Sequence, residues 1–383
     1  MSLTQRFTAL DVFRGMTICF MIIVNTPGNG ATTYAPLLHA HWHGFTPTDL
    51  VFPSFLFAVG NALSFVMLKW ESKPDTYVIG KILKRTALIF LLGYLMYWFP
   101  FFKQDAKLNI VSFPIDETRI MGVLQRIALC YGAAALMIHF LKIRTATIIS
   151  IILLIGYWLV LLFFGEAGNE FTMTGNFGQK VDLWLMGEKH LYHGEGIAFD
   201  PEGWLSTLPA IGNVVAGFIA GKFIQEKARL NDTVGQGKTY ETLTKLMVAG
   251  FVCLVIAYFW DLSFPINKKL WTSTFVLYTV GLDCIIISII IYVIDFLNKT
   301  SWTNFFEIVG RNPLTVYLLS ELLATVLGMI HTDNKTALNQ WIYNNIFSHA
   351  GAYFGSFLYA VVYMLLCWSV GYWMDKKKIY VRV

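Results

Sequence analysis

The chain has 383 residues, of which 56% are hydrophobic and only 14% are charged, with a formal net charge of +5. Because soluble domains carry about 25% charged residues, this composition excludes an ordinary soluble enzyme and indicates a protein embedded in a bilayer. The five cysteines lie inside apolar runs and form no CxxC pair, so we expect neither a disulfide framework nor a zinc site. We expect no metal cofactor and no nucleic-acid partner.

Long apolar segments follow one another along the whole chain. A membrane-spanning helix needs about 20 mostly apolar residues. The sequence therefore predicts an all-α polytopic membrane protein, with residues 1–383 forming a single transmembrane domain of about ten helices. The predicted spans are 9–26, 50–69, 81–102, 119–140, 145–164, 204–226, 242–261, 271–297, 303–330 and 350–374.

Lysine and arginine concentrate in alternate connections between these spans. The positive-inside rule then predicts that both termini are cytoplasmic. The same orientation predicts three long outer segments, at 27–49, 165–203 and 331–349. Long segments of this kind are usually functional or disordered, so we expect them to hold part of the site.

The first outer segment carries alternating histidines, His39, His41 and His43, followed by Asp49 at the start of the second span. A histidine near its free pKa can take a proton from an amine and later return it. A carboxylate can hold the imidazole in one tautomer. The alternating histidines are also compatible with a metal site or with polar loop residues that have no catalytic role.

Four arginines are predicted at membrane depth or near a helix end, and Gln125 adjoins one of them. They are Arg14, Arg85, Arg126 and Arg311. A charge in lipid is costly, so each should face a cavity or a partner. Arginine suits phosphate recognition, and the set predicts a polyanionic cofactor that enters from the cytoplasm. Internal salt bridges that fix helix packing are the alternative.

Two polar motifs precede outer ends of predicted helices. Asp200 and Glu202 come before the sixth span, and Asn267, Lys268 and Trp271 come before or at the start of the eighth. Acids, amides and an aromatic ring are typical of sugar sites, and acids also suit a cationic amine. Helix capping and interfacial anchoring are the alternative explanation. The sequence contains no Walker A loop and no GxSxG elbow.

Taken together, these motifs resemble one known family. They are LDVFRG at 10–15, VN at 24–25, HAHWHGFTPTDLVFP at 39–53, the stretch from Gly80 to Arg85, GVLQR at 122–126, DPEG at 200–203, PINKKLW at 265–271 and GRN at 310–312. In this order they resemble the heparan-α-glucosaminide N-acetyltransferase family. The resemblance implies acetylation of the amino group of terminal glucosamine across a membrane, with acetyl-CoA supplied from the other side.

The resemblance also implies roles for individual residues. It implies that His39 is the catalytic histidine, with Asn25 beside it and Asp49 in support, and it suggests a homodimer. The stretch between Asn25 and His39 looks longer than in the lysosomal enzyme of the family. The compact form of this chain looks like the bacterial branch of the family. We therefore expect a glucosamine monosaccharide or short oligosaccharide as acceptor.

The resulting hypothesis places the cofactor phosphates and the catalytic histidine at opposite ends of the helix bundle. Acetyl-CoA would lie between helices with its phosphates on the arginines, and its thioester would face His39. Asn25 or a backbone N–H would stabilise the oxyanion. Direct transfer and a route through acetyl-His39 both stay open. The alternative functions are an O-acetyltransferase of envelope glycans and an amino-sugar transporter.

Overall fold

The computed structural model describes residues 8–104, 110–234, 237–332 and 336–381, and its fold is all-α, as predicted. A two-stranded antiparallel pair, β1 (Phe102–Gln104) and β2 (Ile110–Ser112), is the exception within those ranges. The helices are α1 (Thr8–Asn25), α2 (Val51–Trp70), α3 (Asp75–Trp98), α4 (Val123–Phe140), α5 (Ile143–Phe164), α6 (Phe177–Met186), α7 (Thr207–Val234), α8 (Gly237–Asp261), α9 (Ser273–Ile291), α10 (Thr303–Arg311), α11 (Pro313–Met329), α12 (Leu338–Ile342) and α13 (Ala352–Lys376).

Eight of the described helices are long and apolar enough to cross a membrane, and a bent pair, α10 with α11, makes a ninth. The helix α3 corresponds to the remaining predicted span and is 24 residues long. It carries Lys81, Lys84 and Arg85 in its first half, so it is less apolar than the others. The polytopic architecture predicted from the apolar segments is therefore confirmed.

The prediction that residues 303–330 form one continuous helix is wrong. The chain forms two helices that meet at an angle of 81°. The break lies at Asn312, whose φ of −129° and ψ of 48° are not helical, and Pro313 begins α11. Proline disfavours the helical conformation in the residue before it, which explains why one apolar segment becomes two helices.

Close helix packing depends on glycine at two contacts. A Cβ on Gly60 of α2 would lie 1.9 Å from the Val214 carbonyl oxygen of α7. Likewise, a Cβ on Gly15 of α1 would lie 1.9 Å from the Phe306 carbonyl oxygen of α10. Small residues let the backbones of membrane helices approach closely. These contacts fix α1 and α2, which carry the residues on either side of the first outer segment.

Three connections meet at one end of the bundle, which we call the His39 end. They are the segments 26–50, 165–206 and 262–272. The indole N–H of Trp42 donates to the Phe171 carbonyl at 2.8 Å, and the Gly44 N–H donates to the Ile266 carbonyl at 2.8 Å. The other end, where α1 begins, is called the Arg14 end. Of the predicted outer segment 331–349, residues 333–335 lie outside the described residues.

Candidate functional site

The centre of the His39 end is an imidazole–carboxylate pair. His39 Nδ1 lies 2.7 Å from Asp49 Oδ1. The imidazole side chain is 42% exposed, whereas the Asp49 side chain is 1% exposed. The buried carboxylate therefore contacts an accessible imidazole, which is the arrangement expected from the sequence.

Local backbone geometry explains how a carboxylate can be buried there. The second oxygen of Asp49 accepts hydrogen bonds from the backbone N–H of Ala40 at 3.1 Å and of Thr46 at 2.9 Å. Thr46 and Asp49 form a capping box at the turn that leads into α2. With its other oxygen on Nδ1, Asp49 favours the tautomer that carries its proton on Nδ1 and leaves Nε2 as an acceptor.

Lys268 lies close to both ring nitrogens of His39, with 3.1 Å between its Nζ and Nδ1. Its Nζ is 3.0 Å from His39 Nε2. Burial lowers the pKa of His39 below its usual value, and the positive charge of Lys268 lowers it further, although Asp49 opposes both effects. Burial also lowers the pKa of Lys268 itself. The net lowering favours a neutral imidazole near pH 7, which is the form that can accept a proton.

These groups line a cavity of about 330 Å³. Ligand pockets in proteins typically occupy about 300–1,000 Å³. The predicted site residues that line it are Asn25, His39, Asp49, Glu202 and Lys268. They come from four separate parts of the chain, and the fold brings them together around one space.

A second cluster in the cavity wall centres on Arg119, to which the sequence analysis gave no role. Its guanidinium binds Asp200 at 2.6 Å and Glu202 at 2.5 Å. The rings of Tyr97 and Tyr192 lie on it, with centroids 5.0 Å and 4.7 Å away. Burial would raise the pKa of Glu202, but Arg119 lowers it below its usual value. The sequence signal was an arginine at the start of the predicted span 119–140, but its partners Asp200 and Glu202 lie 81 and 83 residues further along the chain.

Asn267 and Trp271 lie behind the cavity rather than in its lining. The side-chain oxygen of Asn267 accepts the Leu270 N–H at 2.8 Å, which shapes the turn that carries Lys268. Trp271 is fully buried, and its indole N–H donates to Asn213 at 3.2 Å. Substrate contact by these two residues stays a prediction.

Two of the five predicted cofactor-binding residues lie at the Arg14 end. Arg14 pairs with Asp11 one turn earlier on α1. Arg311 pairs with Glu307 at 2.7 Å and with Asp375 of α13 at 3.0 Å. In this structure both arginines therefore form internal salt bridges, as the alternative explanation expected. Phosphate binding by these arginines stays a prediction.

The other three lie on α3 and α4. The guanidinium of Arg85 stacks 4.6 Å from the Tyr131 ring centroid. Arg126 is fully buried, with its Nη2 donating to the Gly203 carbonyl at 3.0 Å. The Gln125 amide is buried and has no hydrogen-bond partner within the described ranges. None of the five predicted cofactor residues is in the cavity lining.

The described residues do not gather the alternating histidines into a metal site. No group of three or more His, Cys, Asp or Glu side chains suited to a metal is found among them. His43 lies instead beside Asn267, with 3.4 Å between its Nδ1 and the amide nitrogen. His39 and His43 therefore have different partners in the structure, Asp49 and Asn267.

The sequence is similar to a known family and to named mammalian proteins. Residues 6–262 match the family described as heparan-alpha-glucosaminide N-acetyltransferase, catalytic. The chain is 29% identical to heparan-alpha-glucosaminide N-acetyltransferase of Mus musculus over 380 residues, which covers 84% of this chain and 54% of that protein. It is 28% identical to the Homo sapiens protein of the same name, over 84% of this chain and 53% of that protein.

The chain thus spans about half the length of the curated relatives it matches. The family match includes Asn25, His39, Asp49, Arg119 and the Asp200–Glu202 turn, and it ends before Lys268. Since the match extends over more than half of the sequence and contains the imidazole–carboxylate pair, this chain belongs to the heparan-α-glucosaminide N-acetyltransferase catalytic family.

Proposed function

We propose that this chain is an N-acetyltransferase that moves the acetyl group of acetyl-CoA to the amino group of a glucosamine or glucosaminide. The observation that carries the proposal is His39 in the wall of a 330 Å³ cavity, held by the buried carboxylate of Asp49. Membership in the family supports it. Both curated relatives are named as N-acetyltransferases of a glucosaminide.

The proposed reaction is acyl transfer from sulfur to nitrogen. The neutral amine attacks the thioester carbonyl, so that a C–N bond forms and the C–S bond breaks. His39 Nε2 accepts the proton that the amine loses and returns it to the departing CoA thiolate. The acceptor amine would approach Nε2, which lines the same cavity as Lys268. Asn25, in the same cavity, donates its amide N–H to the oxyanion.

We further propose that acetyl-CoA comes from the cytoplasm and that both termini lie there, in a bacterial inner membrane. Arg14 and Arg311 at the Arg14 end would bind phosphate, together with Arg85, Gln125 and Arg126. Arg14 and Asn25 are about 16 Å apart along α1 at 1.5 Å per residue. Because these residues do not line the cavity, the cavity must extend along α1 when the cofactor binds. A homodimer stays an expectation from the family resemblance.

The experiment uses the purified protein in proteoliposomes, with labelled acetyl-CoA and glucosamine. We expect His39→Ala to lower the transfer rate by about 10³-fold, within the range for loss of a general base. His41→Ala is the matched control, because His41 is exposed and does not line the cavity. A folded His39→Ala protein that transfers acetyl at the wild-type rate would overturn the proposal.

Product chemistry separates the alternatives. An amide survives mild base, whereas an ester is cleaved, so a base-labile product would replace the proposal with O-acetylation. Uptake of labelled glucosamine in the absence of CoA would indicate a transporter instead. Thermal stabilisation by CoA that is lost in Arg311→Ala would support the placement of the cofactor.

A further inference from the structure

One carboxylate in the cavity contacts neither a basic side chain nor an imidazole among the described residues. Four acidic residues line it: Asp49, Glu195, Glu202 and Glu321. Asp49 is paired with His39, Glu195 with Lys269 at 2.6 Å, and Glu202 with Arg119. For Glu321, by contrast, the described part of the chain provides no ion pair.

Glu321 lies on α11 and faces a neutral neighbour on α1. The amide nitrogen of Asn25 is 3.4 Å from Glu321 Oε1, which is a long contact for a hydrogen bond. Tyr317, one turn earlier on α11, lines the same wall. Glu321 is thus a half-buried carboxylate with a long contact to a neutral partner, and it lines the same cavity as His39.

A half-buried carboxylate in a cavity is stabilised when it meets a positive charge. An amino sugar supplies one, because its amine is largely protonated before it reacts, whereas a neutral sugar such as glucose supplies only hydroxyls. A charge-assisted hydrogen bond is roughly twice as strong as a neutral one. The wall formed by α1 and α11 is therefore able to distinguish an amine acceptor from a hydroxyl acceptor.

We propose that Glu321 binds the protonated amino group of the acceptor sugar and selects amino sugars over neutral ones. This inference rests on the proposed function, because it identifies the acceptor side of the same cavity. It also places the acceptor amine beside Asn25, between the α1–α11 wall and the imidazole of His39. The ammonium group of the acceptor then loses a proton to water. The neutral amine that results attacks the thioester carbonyl, as described above.

The test compares glucosamine and glucose as ligands of the purified full-length chain. Thermal stabilisation measures binding without turnover, and a separate assay measures KM for glucosamine and for acetyl-CoA. In the wild type we expect glucosamine to stabilise the protein at lower concentration than glucose. In Glu321→Gln we expect this preference to disappear and KM for glucosamine to rise about tenfold or more, with KM for acetyl-CoA unchanged.

Two further variants separate the role of the charge from a structural role. Glu321→Asp keeps the charge and should restore most of the preference for glucosamine. Glu307→Gln makes the same change on α10, where Glu307 pairs with Arg311 outside the cavity, and should leave the preference intact. A Glu321→Gln protein that still prefers glucosamine would overturn the inference.

If the Gln variant does not fold, Glu321→Asp tests the role of the charge, and the wild type alone is still able to overturn the inference. Equal binding of glucosamine and glucose by the wild type would overturn the role of Glu321. If the wild type prefers glucosamine through Glu321 but transfers no acetyl group to it, the proposed reaction fails and the amine-binding role stands. If transfer occurs and Glu321→Gln alters neither KM nor preference, the reaction stands and the inference fails.

Discussion

The bundle carries a histidine–aspartate pair at each end, and the two pairs are built in opposite ways. At the His39 end the imidazole is 42% exposed and its Asp49 partner is 1% exposed. At the Arg14 end, His139 Nε2 lies 3.0 Å from Asp75 Oδ1, but there the imidazole is 16% exposed and the carboxylate 73%. Only the first of the two pairs is in the lining of the 330 Å³ cavity.

The comparison shows that a histidine–aspartate contact alone does not identify the candidate functional site. The Asp75 carboxylate is solvated, so its attraction to His139 is screened and contributes little. The Asp49 carboxylate is enclosed and receives two backbone N–H groups in addition to the imidazole. Such a carboxylate keeps both its position and its effect on the ring, while the accessible side of His39 is left for the chemistry.

The largest expected effect comes from removing the charge of each aspartate in turn. Asp49→Asn should lower kcat/KM for acetyl transfer by about 10³- to 10⁴-fold, because the amide no longer favours the reactive tautomer. Asp75→Asn makes the same change in the other pair and should stay within a few-fold of wild type. Steady-state kinetics in proteoliposomes measures both, and equal losses in the two variants would contradict the comparison.

An intermediate effect is expected at Lys268, the cation that lies against the imidazole of the His39 pair. Burial and the Lys268 ammonium both lower the pKa of His39, and transfer needs the neutral imidazole. Lys268→Met removes one of these causes, so the pKa of His39 rises and the acidic limb of the kcat/KM profile moves to higher pH. A profile measured from pH 5 to 8 checks the direction.

The matched control is Lys69→Met, since Lys69 is an exposed lysine near the end of α2 and away from the cavity. Its pH profile should coincide with that of the wild type. A shift of the acidic limb to lower pH in Lys268→Met would show that Lys268 stabilises the protonated form of His39, which is the opposite of the repulsion expected between two positive charges.

The smallest expected effect concerns the turn that holds Asp49. The Thr46 hydroxyl donates to the Leu38 carbonyl at 2.6 Å, which ties together the two sides of the loop between His39 and Asp49. Thr46→Ala should cost about 1 kcal/mol of stability and lower kcat a few-fold, as Asp49 becomes less well positioned. Thr46→Ser keeps the hydroxyl and should behave as wild type, and thermal unfolding with kinetics measures both changes.

The part of the site that is formed by residues close together in the chain was predictable. His39, Thr46 and Asp49 lie in one short stretch of the chain, so a compact turn suffices to bring the imidazole to the carboxylate. The family resemblance of the motifs was confirmed by the match over residues 6–262. By contrast, the neighbours of Arg119 and Glu321 in the fold were not predicted, because the position of a charge in the chain does not reveal which distant side chain the fold will bring to it.

The sequence by itself determined the all-α polytopic architecture, since an apolar segment of about 20 residues can satisfy its backbone in lipid only as a helix or a closed barrel. The family resemblance of its motifs implied His39 and Asp49 as site residues, and these two lie ten residues apart in the chain. Only the tertiary structure decided which distant charges meet: Lys268 on the imidazole, Arg119 between two acids, and Glu321 beside an amide rather than a cation within the described ranges. The physical reason is that these contacts depend on how the helices pack and bend, including the break at Asn312, and not on the composition of any one helix.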